Sequence, residues 1–290
     1  MVGKRTLKPR PSGEVAAQPT ERVSLPENRA EECDLHEKND KIGENIMKIT
    51  VVCEYNASMS SPEGVAAYPE GLGECIKEMF SSFGYETVLH TYDDKRELVL
   101  SEEELKATDV LVWWGHWYHG CVADEIAARV ADQVNKGMGF IVLHSAHHCK
   151  PFKRLMGTSC NLIWRENNEN ERMWAVDPYH PIVKGLTPYI DIDHDETYGE
   201  SFDVPTPDEL VLISWFRGGE VMRSGCVWKR GMGKVFYLRC GHETNPTYHN
   251  EKVRTLLHNA AEYVKPQNRI EAYAPDHRPT PPEGEFEIKK

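Results

Sequence analysis

Val110-Leu111-Val112-Trp113-Trp114-Gly115-His116 and Gly139-Phe140-Ile141-Val142-Leu143-His144 decide the fold. Each is an apolar run with no polar alternation, and each runs into a histidine. A strand that is apolar on both faces belongs inside a parallel sheet covered by helices on either side. Between the two runs, Ile126, Ala127, Val130 and Val134 recur at helical spacing and predict a helix over 124–134. Upstream, 48–55 reads as a first strand and 86–92 as a second. Between them Leu72, Ile76, Met79 and Phe80 mark a helix over 69–83, closed by Gly84. Ser101 and Glu104 form a capping box for a further short helix. Strand and helix alternate throughout, which predicts an α/β fold with a doubly wound, mostly parallel sheet.

The second half follows another pattern. Residues 161–176 read as a β-hairpin turning at 167–170. Residues 210–215, 221–229 and 234–240 read as strands separated by the glycine turns at Gly218-Gly219 and Gly231 to Gly233. An antiparallel region is thus added to the parallel one. A last amphipathic helix over 252–264 carries Val253, Leu256, Leu257, Ala260 and Ala261. The ordered domain is expected over 47–264. Residues 1–46 are rich in Pro and charge, with no periodicity, and cannot bury enough surface to offset their ordering entropy. They read as a disordered extension, with Met47 as the natural initiator. Residues 265–290 read as a Pro- and charge-rich tail.

The net charge of −12 disfavours nucleic acid, whose phosphates are bound by Lys and Arg. None of the 8 cysteines has another two residues away in a metal-knuckle or redox spacing, and several sit inside apolar strands. Such scattered thiols suit a reducing compartment, so a cytoplasmic location is expected. No apolar run is long enough for a bilayer and no signal-peptide pattern opens the chain, so no membrane partner is expected. Nucleotide fingerprints are absent, and Gly231-Met232-Gly233-Lys234 reads as a hairpin turn instead of a phosphate loop. Aromatic-rich surface segments leave room for a homo-oligomer.

Ligands of open α/β sheets bind beyond the carboxyl ends of the strands. Three apolar strands deliver His116, His144 and His242 to that end. An acidic segment, Asp193-His194-Asp195-Glu196 with Tyr198, follows a short strand over 189–192. Histidine suits both proton transfer near neutral pH and metal ligation. Two chemistries stay open. One is a divalent metal such as zinc on His116, His144 and His242, with Glu196 or Asp195 as carboxylate. The other is metal-free acid–base catalysis by a histidine and Glu196. Trp117 and Tyr118 are candidates for stacking on a sugar, with Asp195 and Tyr198 as further substrate-side neighbours, whereas Trp113 and Trp114 read as core.

The strand ending at His144, the segment Asp195-Glu196-Thr197-Tyr198, the strand running into Gly241-His242 and the preceding Trp114-Gly115-His116 together resemble the ThuA-like, trehalose-utilisation family over about residues 47–264. The resemblance implies a flavodoxin-like sheet of the class I glutamine amidotransferase kind. Those amidotransferases place a nucleophilic cysteine in a Gly-x-Cys-x-Gly elbow and a His-x-Glu pair near the C-terminus. Here the elbow reads His144-Ser145-Ala146, Cys149 is displaced, and His242 is followed directly by Glu243. Glutaminase chemistry is therefore not expected, and Cys149, near a helix N-cap before Pro151, is expected to be structural. The resemblance further implies a small-molecule carbohydrate as partner. It points to a sugar-modifying enzyme of disaccharide utilisation that acts on a keto-glycoside or related sugar through His116, His144, Glu196 and His242. A non-catalytic sugar-binding or regulatory protein on the same fold is the alternative.

Overall fold

The computed structural model describes residues 46–273. Residues 1–45 of the expected disordered extension lie outside the described residues, as does the tail beyond 273.

The parallel half forms as its apolar runs require. β1 (Lys48–Glu54), β2 (Glu86–Tyr92), β3 (Val110–Trp114), β4 (Gly139–Leu143) and β9 (Gly233–Leu238) lie side by side in the order β2-β1-β3-β4-β9, all parallel. This is the flavodoxin-like order 2-1-3-4-5, with β9 as the fifth strand. Successive residues of each run point to opposite faces. Val51, Val112, Trp114, Ile141 and Phe236 join one core with α2 (Leu72–Ser82) and α6 (Glu251–Val264). Val52, Leu111, Trp113, Val142 and Tyr237 join the other with α4 (Asp124–Asn135) and α5 (Lys150–Met156). Trp113 and Trp114 are both fully buried, one on each side, as expected of core. Two shorter helices complete the set: α1 (Pro62–Ala67), and α3 (Glu102–Ala107), where the Ser101 hydroxyl accepts from the Glu104 N–H as the capping box predicts.

Beyond β9 the sheet continues antiparallel through β8 (Val221–Arg230), β7 (Glu209–Phe216), β5 (Ile163–Ala175) and β6 (Tyr189–Gly199). Two expectations need correction here. Residues 161–176 are not a hairpin: β5 runs through them as one strand and pairs with β6 on one side and β7 on the other. The Asn-rich stretch that suggests a turn is instead a bulge, with register shifts between Arg165 and Glu171 and Asn168 at φ 53°. Nor does the strand over 189–192 stop before the acids. It continues to Gly199, so Asp195 and Glu196 lie within β6 and face opposite sides. After α6, residues 265–273 run back along the domain. Arg269 donates to the carbonyls of Lys106 and Thr108, and the Ile270 N–H donates to the Lys136 carbonyl.

A core position and a surface position in the same sheet should respond very differently. Phe236→Ala, in the middle of β9 and fully buried, is expected to cost about 3–5 kcal/mol. Trp215→Ala, on β7 and 49% exposed, should stay within about 0.5 kcal/mol. Denaturant unfolding of the two variants checks the contrast.

Candidate functional site

His116, His144, Glu196 and His242 converge beyond the carboxyl ends of β3, β4 and β9. One ligand-capable atom from each lies within 4.8 Å of all the others. The three imidazole centroids are 5.2–5.5 Å apart, with planes close to perpendicular. His144 is fully enclosed, and Glu196 and His242 are buried.

Each histidine is oriented from behind. His144 has a positive φ of 53° directly after β4, in the left-handed region that few non-glycine residues adopt. That turn swings the ring away from the sheet axis into the cluster. Its Nδ1 lies 3.1 Å from the Arg239 carbonyl, which can only accept, so Nδ1 carries a proton, and in the neutral ring Nε2 presents a lone pair. Nε2 sits 3.2 Å from Glu196 Oε2, yet neither atom has an aligned hydrogen bond. His116 directs Nδ1 at the Glu243 carboxylate, 2.8 and 3.0 Å from its two oxygens, leaving Nε2 free. Asn56 Nδ2 donates to the same carboxylate at 3.0 Å. His242 Nδ1 is 2.8 Å from Thr244 Oγ1, and its buried Nε2 has no aligned partner.

Four residues outside the first expectation build this frame. Glu54, the last residue of β1, accepts the backbone N–H groups of His116, Trp117 and Tyr118 and so shapes the loop after β3. Glu243 orients His116. Arg239, fully buried past the end of β9, donates to the Glu196 carbonyl and lies 2.8 Å from both Glu171 Oε2 and Asp195 Oδ2. These contacts are a close charge clamp without aligned hydrogen bonds at Arg239 Nη2. Glu171 comes from β5. Asp195 accepts from the N–H groups of Glu196, Gly241 and His242, so it fixes the turn that carries His242. It lies behind the cluster, and Glu196 is the carboxylate that enters it. Of these four, Glu54 and Arg239 left a trace in the sequence, as charges closing otherwise apolar strands.

The electrostatics follow from this wiring. Burial opposes ionisation of Glu243, but the hydrogen bond and charge of His116 prevail and bring it down to about 2. Burial likewise works against a charged His116, and Glu243 outweighs it, raising its pKa above the ordinary histidine value. Burial lowers His242 despite the nearby Glu243. Glu196 is lowered, burial being outweighed by His144. Asp195 is brought to about 2: its burial is overcome by Arg239, His144 and the Gly241 N–H. Glu171 goes the other way, to about 7, because burial dominates the pull of Arg239 and Asp195 adds repulsion.

A groove of about 530 Å³ opens above the cluster. His116 and Glu196 lie in its lining, flanked by Trp117 and Trp164, which are 50% and 63% exposed. Tyr198 also lines it, stacked on His144 with centroids 5.2 Å apart and its hydroxyl bonded to Ser145. Tyr118 packs against the core on the α4 side. Trp164 escaped the sequence reading because it was assigned to a hairpin remote from the site. Cys149 is fully buried at the N-cap of α5, and burial pushes its thiol up, far from thiolate character.

The profile of the ThuA family, described as trehalose utilisation, matches residues 59–264. A protein described as ThuA-like from Parabacteroides merdae is 14% identical with a TM-score of 0.58, over 78% of this chain and 93% of that one. Another from Bacteroides uniformis is 14% identical with a TM-score of 0.50, over 74% and 89%. A protein from Salmonella typhimurium described as cytoplasmic is 12% identical with a TM-score of 0.51, over 76% and 100%. At these identities the likeness shows the fold. No curated protein matches the chain. Among the described residues no helix is long and apolar enough to cross a membrane.

Glu171 gives the site a pH signature. Its pKa rises from 4.5 to about 7 on folding, so between those values the native state holds more proton than the unfolded chain. Stability should therefore fall as pH rises from about 4.5 to 7, by on the order of 2 kcal/mol. Glu171→Gln should flatten that window and leave the loss of stability that begins below pH about 4, where the unfolded chain takes up protons that Asp195 and Glu243, held at about 2, still resist in the native state. Denaturant midpoints measured from pH 3 to 8 read both limbs.

Proposed function

Because the chain belongs to the ThuA, trehalose-utilisation family, we propose that it is a carbohydrate-modifying enzyme whose centre is a divalent metal ion held by His116, His144, Glu196 and His242. The observation that carries this reading is the direction of the lone pairs. His116 and His144 each use Nδ1 to grip a structural acceptor and turn Nε2 inward, where an unpartnered Glu196 oxygen joins them. Ligand histidines are held in this way, by a carboxylate or a carbonyl behind the ring. Ligand atoms around a zinc-class ion stand about 3.3 Å apart at metal–nitrogen distances of 2.0–2.1 Å. The four atoms, all within 4.8 Å of one another, need only draw in modestly. At His242 the Thr244 N–H donates to Nδ1 at 3.3 Å, which puts the neutral ring's proton on Nε2; for Nε2 to complete the set, that proton would have to shift to Nδ1, where Thr244 Oγ1 at 2.8 Å would accept it.

When bound, the ion supplies Lewis acidity toward a sugar carbonyl or hydroxyl oxygen. The protein's own residues do the rest. Trp117 and Trp164 offer ring faces on the groove for a pyranose. The Tyr198 and Ser145 hydroxyls lie together on the groove wall beside His144. Glu166, exposed at the rim and 3.4 Å from His242 Nε2, is placed to exchange protons with substrate hydroxyls. A keto-disaccharide fits both the metal chemistry and the two-tryptophan groove, with hydrolysis, elimination or isomerisation as the reaction.

Full-length protein prepared without added metal should carry about one zinc-class ion per chain by elemental analysis. His144→Ala and Glu196→Ala should each lower metal occupancy and reduce turnover of an oxidised disaccharide by about 10²–10⁴-fold. The double variant should be little worse than either single one, as for groups that act as a unit. A metal-free, chelator-insensitive enzyme, or independent multiplication of the two losses, would refute the centre.

A further inference from the structure

Next to the groove lies a second cavity of about 550 Å³ that the catalytic reading leaves without a task. Its lining is cationic, against the trend of a chain with 46 acidic and 34 basic residues. Lys150, Lys153 and Arg154 line it together with His119 and His148, and Asp124 is the one carboxylate among the lining residues. Asp124 pairs with Lys150 at 2.7 Å. Lys153 and Arg154 have no carboxylate within ion-pair distance among the described residues. Positions 150, 153 and 154 share one face of α5 by helical spacing, so the positive charge is concentrated by the helix itself.

The cavity is tied to the cluster by chain and by space. His119 and His148 line both the cavity and the groove, with ring centroids 5.9 Å apart. The stretch 144–154 supplies His144 to the cluster, His147 and His148 to the groove wall, and all three cations to the cavity. A ligand lying over His116 and Glu196 therefore reaches the cations by extending past His119.

We propose that this cavity is a phosphate subsite, so that the substrate sugar carries a phosphate ester held by Lys153, Arg154 and Lys150. The inference rests on the carbohydrate reading above and deepens it. A phosphate presents several acceptor oxygens, which the planar fork of arginine and the point charge of lysine satisfy together. The two histidines suit the boundary between sugar and phosphate. Burial first, then the charge of Lys153, lowers His148. As a neutral ring it can donate one N–H to an oxygen.

Calorimetry on the full chain loaded with zinc tests this with four probes: inorganic phosphate, glucose 6-phosphate, glucuronate and glucose. Glucose 6-phosphate should bind at least about tenfold more tightly than glucose. The double variant Lys153→Ala/Arg154→Ala changes two exposed side chains. It should lose about tenfold or more in affinity for both phosphate probes, with metal content and glucose affinity unchanged. Equal phosphate affinity in parent and variant overturns the subsite. Glucuronate binding as well as glucose 6-phosphate overturns the assignment to phosphate. Inorganic phosphate that binds while glucose 6-phosphate shows no advantage over glucose overturns the attachment to sugar. Should phosphate binding respond to the variant while no sugar is turned over, the subsite stands and the carbohydrate reading falls.

Discussion

Arg239 is the interaction on which the rest of the site depends. It sits without solvent contact at the end of β9, between Glu171 from β5 and Asp195 from β6. A lone buried cation would be prohibitive, and two carboxylates around it are the arrangement that makes it tolerable. The second carboxylate is an excess, and the structure meets it by holding Glu171 near neutrality while Asp195 stays charged. Replacing the set by apolar residues of similar volume could leave the sheet as stable or more so. What would vanish is the wiring: the Arg239 guanidinium on the Glu196 backbone, and Asp195 on the turn bearing His242; the contact of the residue-239 carbonyl with His144 is backbone and would remain. One buried charge and its partner carboxylate thus position two of the four cluster residues, Glu196 and His242.

The antiparallel extension has the same purpose. A flavodoxin-like sheet supplies His116, His144 and His242 from its own strand ends, with Glu243 behind His116, but not the carboxylate that joins them in the cluster. Strands β5 to β8 continue the sheet past β9 and fold β6 back, so that Glu196 enters the cluster and Trp164 stands across the groove from the parallel half. The division of labour is physical. Parallel strands deliver the histidines from rigid, doubly covered ends, and the extension adds charge and aromatic surface.

Most of the parallel half was legible because its signals are local. Unbroken apolar runs such as 110–114 and 139–143 leave no alternative to buried strands, and the strand-end rule then puts three histidines together. The antiparallel half was harder to read. Asn167 to Asn170 carries the composition of a turn, but pairing with β6 through Glu169, and with β7 from Glu171 on, draws it into one bulged strand. Propensity lost to tertiary pairing, which no local window contains. The same loss hid Trp164 and the true setting of Asp195. Glu196 was found for a partly mistaken reason, since it lies within a strand and not after one. Glu171 left no signal at all: in sequence it is one more acid in a polar stretch, and only the packing of Arg239 makes it special.

The positive φ of His144 carries a further consequence. The turn after β4 holds its first residue in a geometry that costs energy for any side chain except glycine and is sustained by the sheet beneath it. Such a turn behaves as a socket: whatever residue stands there is thrust, already oriented, into the same point of space. Its chemistry can then be exchanged by a single substitution without redesigning the support, provided the newcomer is unbranched at Cβ.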